Sequence, residues 1–145
     1  MTSDEKTHTR LLVEDFMTPV VFSVLPGMTV REAIHLLVSN KISGAPIVDS
    51  TLKVISVLSE GDAMKLAATG KLDLKISTFL DQLVPTDKLI NVTKTHTFVH
   101  VYRLFLRNPV HRIFVTDGVG KIQGIVSRSN ILGTFVHQNV PTEKS

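Results

Sequence analysis

The chain has 145 residues, no cysteine, no tryptophan, 43% hydrophobic residues and a formal net charge of +3. Folding at that size buries roughly two-thirds of the unfolded surface in one domain or two small halves, and the absence of thiols excludes a disulfide framework or thiolate metal site, as fits a cytoplasmic protein. Apolar runs fall short of the roughly 18 residues of a membrane span, Met1–Arg10 lacks a signal-peptide pattern, and the dispersed Lys and Arg do not mark a nucleic-acid footprint.

Residues 1–12 are expected to be a flexible lead. Val13 to Met17 is predicted as a short helical turn before Thr18-Pro19, where proline removes a donor and favours an extended entry. Val20 to Val24 reads as a brief strand and Pro26-Gly27 as a turn. Thr29 with Glu32 three places on forms a capping box, and Val30, Ala33, Ile34, Leu37 and Val38 then recur at helical spacing. Pro46 to Asp49 and Val54 to Leu58 are β-rich runs joined by the polar turn Ser50 to Lys53. A second helix is predicted from Ser59 to Ala68, with Gly70 as its stop. Residues 71–83 read as a linker with a helix around Ile76 to Leu83.

The second half restates the first. Asp49, Lys53 and Ser59 return as Asp117, Lys121 and Ser127, Thr29 as Thr97, and Asn40 as Asn108, all in one register. Pro85 stands for Pro19 with a two-residue insertion, and Leu89 to Val92 for the first strand. The expected organisation is therefore an α/β (α+β-like) fold of two β-α-β-β-α repeats, residues 13–70 and 84–138, with a tail at 139–145. A period of this size means two supersecondary units that need each other to bury their faces.

Met17-Thr18-Pro19, Thr29-Val30-Arg31-Glu32-Ala33 and Lys41-Ile42-Ser43-Gly44-Ala45-Pro46-Ile47-Val48-Asp49 in the first repeat, with Val110-His111-Arg112-Ile113-Phe114-Val115-Thr116-Asp117 in the second, resemble a tandem pair of cystathionine-beta-synthase (CBS) domains, also called a Bateman module. The pattern is similar to the nucleotide-sensing repeats of AMP-activated protein kinase gamma subunits and covers about Val13 to Gln138. The resemblance implies a pseudo-twofold packing of the repeats, with adenosine ligands in clefts between them. It places Ser59 at phosphate and Asp62 at ribose in a first site, with Val21, Phe22, Ala45 and Pro46 around the base. A second site has Ser127 and Asn130, with Ile90, Ile113 and Phe114 around the base, and His111 and Arg112 stand where the kinase-type repeats contact phosphate. The implied ligand is AMP, ADP or ATP, with no required cofactor, and the implied assembly is a homodimer signalling to a regulated partner protein.

The chemistry of these residues suits that role on its own terms. Ser59 and Ser127 each stand at a predicted helix start, where free N–H groups and the helix dipole favour anions. A carboxylate such as Asp62 accepts two hydroxyl hydrogens at once, as a ribose diol requires, whereas the Asn130 amide is neutral and both donates and accepts. Arg112 and Arg128 offer the forked donor geometry that phosphate favours. The competing reading makes both Ser-x-x-Asp/Asn pairs simple helix caps. Two functional rivals accompany it, a ligand-free interaction module acting through dimer or partner surfaces, and a module for nucleic acid or S-adenosylmethionine. His96 and His100 lie one helical turn apart but lack further ligands, so no metal site is expected. No nucleophile elbow, phosphate loop or catalytic triad pattern is present, so no enzymatic activity is expected.

Overall fold

A computed structural model describes residues 11–19, 22–85 and 88–143. Along it run α1 (Val13–Phe16), β1 (Thr18–Pro19), α2 (Val30–Ser39), β2 (Gly44–Val48), β3 (Val54–Ser59), α3 (Glu60–Ala68), a 3-10 helix (Ile76–Gln82), β4 (Asn91–Val92), α4 (Phe98–Arg107), β5 (Arg112–Thr116), β6 (Ile122–Ser127) and α5 (Arg128–His137). The four long helices begin as the sequence predicts. Thr29, Ser59, Thr97 and Ser127 stand in extended backbone, and each hydroxyl accepts the N–H three residues on, from Glu32, Asp62, His100 and Asn130. An unsatisfied donor of the first turn is thereby closed by a local side chain, which is why the starts are readable from sequence. Helix α2 ends in a Schellman arrangement, with Ile42 N–H on Leu37 O at 3.1 Å and Lys41 N–H on Val38 O at 3.3 Å.

One expectation is corrected. A strand at Val20–Val24 does not form where it can be described. Val20 and Val21 lie outside the described residues, Phe22 and Ser23 are irregular, and Val24 makes only an isolated parallel bridge to Ile47. The regular pairing comes earlier, at Thr18–Pro19, on the edge of the sheet, where a proline without an N–H is tolerated. The expected linker helix forms, as a 3-10 helix, closing with i to i+3 bonds such as Leu83 N–H on Leu80 O at 3.3 Å.

The described residues form two compact units, one from 11–19, 90–118 and 123–143, the other from 22–85, 88–89 and 119–122. In the first, the strand order is β1-β6-β5-β4, with β1 antiparallel to β6 and β4 parallel to β5. Its core centres on Phe98, which packs edge-on against Phe16, Tyr102 and Phe135 at 5.1–5.4 Å between ring centres. In the second, β2 pairs antiparallel with β3 over a mostly aliphatic core including Val30, Leu37, Ile47, Leu58, Ile76 and Phe79.

Each unit is completed by a short helical segment from outside its own repeat, α1 for the first and the 3-10 helix for the second. In the first unit Val13 N–H bonds His96 O at 2.9 Å and Glu14 N–H bonds Lys94 O at 3.3 Å. In the second, Ile76 N–H bonds Met28 O at 2.8 Å and Ser77 N–H bonds Pro26 O at 2.9 Å. Met28 and Pro26 are the register equivalents of His96 and Lys94. The α1 turn and the 3-10 helix are thus the same anchor used twice, inserting Val13 and Phe16 into one core and Ile76 and Phe79 into the other.

One difference between the copies has a clear steric cause. Ser56 is buried and its Oγ donates to Val84 O at 2.8 Å. Its counterpart Gly124 pairs with Pro19, and a Cβ there would lie 2.6 Å from Met17 Sδ and 3.0 Å from Thr18 O. Glycine is what lets β1 lie against β6.

Candidate functional site

At the start of α3, Ser59 Oγ accepts Asp62 N–H at 3.2 Å and donates to Asp62 Oδ2 at 2.9 Å. Asp62 is half-buried in the first helical turn, where the dipole favours its negative charge. Its other carboxylate oxygen has no partner among the described residues. Strand pairing sets Gly44 opposite Ser59, Ala45 opposite Leu58 and Pro46 opposite Val57, and Glu60 N–H bonds Ser43 O at 2.9 Å. Ala45 and Pro46 therefore run beside Ser59 but are buried. Phe22, in the same unit, is 39% exposed, and Val21 lies outside the described residues.

The equivalent place at the start of α5 is more fully closed. Asn130 Oδ1 accepts both Ser127 N–H at 2.8 Å and Ser127 Oγ–H at 2.9 Å, completing a capping box. Asn130 Nδ2 donates to Thr18 Oγ1 at 3.2 Å. Oxygen and nitrogen of the amide are both engaged, so the geometry consumes the polar capacity that Asp62 retains. Thr18 went unrecognised in the sequence as part of this place, because its partner stands 112 positions away. With Pro19 matched to Pro85, the counterpart of Thr18 is Val84, which has no hydroxyl to offer Asp62.

His111 is exposed and Arg112, first residue of β5, is half-buried. Both belong to the first unit, whereas Ser59 and Asp62 belong to the second. Ile113 and Phe114 are 0% and 2% exposed, and Ile90 O accepts Phe114 N–H at 3.0 Å. Those side chains support the unit's interior and present little free face. The Asp49 carboxyl is held below the usual carboxylate range, first by the Thr51 hydroxyl and then by the Lys53 N–H. These bonds close the β2–β3 turn and leave the residue a structural part.

A cavity of about 100 Å³ adjoins Asp62, Lys65, Thr69 and Lys71. That is well below the roughly 300 Å³ at which small-molecule pockets begin. The larger groove of about 530 Å³ lies between α2 and α3 and omits Ser59 and Asp62. Its lining is mainly apolar, including Leu37, Val38, Ala63 and Met64, with Lys41 and Glu60. Among the described residues no three His, Cys, Asp or Glu side chains gather as a metal site, and no helix is long and apolar enough to cross a membrane.

A family model for the CBS domain matches twice, over residues 13–69 and 80–137. An uncharacterised protein of Methanocaldococcus jannaschii is 27% identical, the match covering 87% of this chain and 92% of that one. A 5'-AMP-activated protein kinase subunit gamma of Dictyostelium discoideum is 30% identical over 81% of this chain, which corresponds to 22% of the subunit. Among solved structures, CBSX2 of Arabidopsis thaliana in complex with AMP is similar at a TM-score of 0.71 and 27% identity, over 87% of this chain and 96% of that one.

Proposed function

The chain belongs to the CBS domain family as a tandem pair, and from that premise we propose that it is a regulatory module binding AMP, ADP or ATP through Ser59 and Asp62. The observation that carries this reading is the contrast between the copies. Asp62 keeps a carboxylate oxygen available for a ribose diol, while Asn130 spends its amide on Ser127 and Thr18. The reading is further supported by CBSX2, which has been crystallised in complex with AMP. Phe22, Ala45 and Pro46 are the proposed surroundings of the base. Ligand binding shifts the population of states of a cytoplasmic protein that a partner enzyme or regulator reads.

Isothermal titration calorimetry with AMP and ATP tests the proposal. Wild-type protein is expected to bind, and Asp62→Ala to lose about 1.5–3 kcal/mol, the worth of hydrogen bonds to a charged group. Asn130→Ala is expected to change affinity little. No binding at millimolar ligand, or equal affinity in wild type and Asp62→Ala, rejects the reading.

We also propose that the protein is a homodimer. Val38 and its counterpart Leu106 are 70% and 71% exposed, and Met64 and its counterpart Leu132 are 70% and 65% exposed. Large apolar side chains held outward at the same positions of two diverged copies point to a covered surface rather than scattered exposure. The same surface supports the alternative reading, an interaction module without a ligand, which the calorimetry separates from the first.

A further inference from the structure

The start of α4 differs from the start of α2 in what holds it. Thr29 is closed by Glu32, whose Oε1 accepts Thr29 N–H at 3.4 Å. The equivalent of Glu32 is His100, and the equivalent of Met28 is His96. Their rings stack with centres 4.6 Å apart and planes 15° from parallel. Ring planes so nearly parallel aim their in-plane lone pairs away from a common point, so the pair is not arranged to chelate an ion. His96 Nδ1 instead accepts Thr93 N–H at 2.9 Å, with Thr93 Oγ1 at 3.2 Å. The backbone of the same turn carries α1, through Val13 N–H on His96 O and Glu14 N–H on Lys94 O, and through Phe98 N–H on Leu11 O at 2.9 Å.

We propose that His96 and His100 form a pH-sensitive clasp that holds α1 on the first unit when neutral and loosens it on mild acidification. A protonated His96 carries a hydrogen on Nδ1, which then confronts the Thr93 N–H instead of accepting it. Two imidazolium rings at this stacking distance repel as well. Burial and the neighbouring His96 charge hold the His100 ring below its ordinary value of 6.5. The sign follows from linkage. A base with a depressed folded pKa takes its proton more readily when the clasp is open, so clasp stability falls as pH drops below 6.5.

The charged groups on the surrounding elements do not offset this. Glu14 and Asp15 lie on α1, and the Asp15 carboxylate is committed to Leu12 N–H at 2.8 Å. Lys94 is in the turn, and Arg103 of α4 pairs with Glu143 at 2.7 Å. Among the described residues, none of these groups, nor Arg128 or His137 of α5, hydrogen-bonds either ring. The second unit lacks the device. There the Glu32 carboxylate stands in the place of His100 and accepts Thr29 N–H.

Amide hydrogen exchange by NMR on the full chain, corrected for intrinsic rates, tests the clasp. Between about pH 7.5 and about pH 5.5 the protection of Val13 and Glu14 should fall by up to about tenfold. The matched amides Ile76 and Ser77 should hold. Replacing His96→Asn and His100→Glu together supplies an uncharged acceptor and a capping carboxylate, and should flatten the response at Val13 and Glu14. Flat protection in wild type overturns the proposal. So does a fall shared equally by Ile76 and Ser77, or an unchanged fall in the double variant.

Discussion

Leu52 has φ +67°, in the left-handed region, while its counterpart Gly120 has φ +88° in the equivalent turn. The β2–β3 turn tolerates leucine because Asp49 Oδ1 accepts Thr51 N–H at 2.8 Å and Lys53 N–H at 3.1 Å, holding the backbone in place. A side chain in that region still costs about 1–2 kcal/mol, partly offset by the greater freedom glycine loses on folding. Leu52→Gly is therefore expected to stabilise the fold by about 0.5–1 kcal/mol, read as a higher urea midpoint with an unchanged slope. The residue scale is also where Asp62 and Asn130 part. The two side chains have nearly the same shape, yet the extra donor of the amide satisfies Thr18 and closes one copy.

Among the elements, α1 and the 3-10 helix show how a short segment becomes indispensable. Neither has the length to be stable alone, and each is held by two backbone bonds and two inserted apolar side chains. Phe16 is nearly buried, with its ring 5.2 Å from Phe98. Phe16→Ala is expected to destabilise by about 3–5 kcal/mol. Hydrogen exchange should locate the loss in Phe98–Arg107 before Val30–Ser39, because the first unit's core is the one opened. The spacing Val13-x-x-Phe16 recurs as Ile76-x-x-Phe79, but at a different offset from that of the two prolines, which hides the match in the sequence.

For the whole molecule, the outward apolar positions Val38, Met64, Leu106 and Leu132 bear on assembly. Changing all four to glutamate places charge where an apolar contact is proposed, and such desolvated charge opposes association. Sedimentation equilibrium is expected to give a dimer for wild type and a monomer for the variant, with the far-ultraviolet circular dichroism retained. A monomeric wild type at micromolar concentration would reject the dimer.

The amino-acid sequence by itself determined the repeat, the tandem CBS family, the four long-helix starts and the Ser-x-x-Asp/Asn pairs. These are short-range features. A cap closes over three residues, and amphipathic spacing repeats every turn, so a local window contains the whole cause. Only the tertiary structure decided that a short helical segment from outside each repeat completes its unit, that Thr18 occupies Asn130, and that Gly124 admits β1. Those outcomes depend on contacts between residues far apart in the chain, where the chemistry of one partner says nothing until the fold has chosen the other.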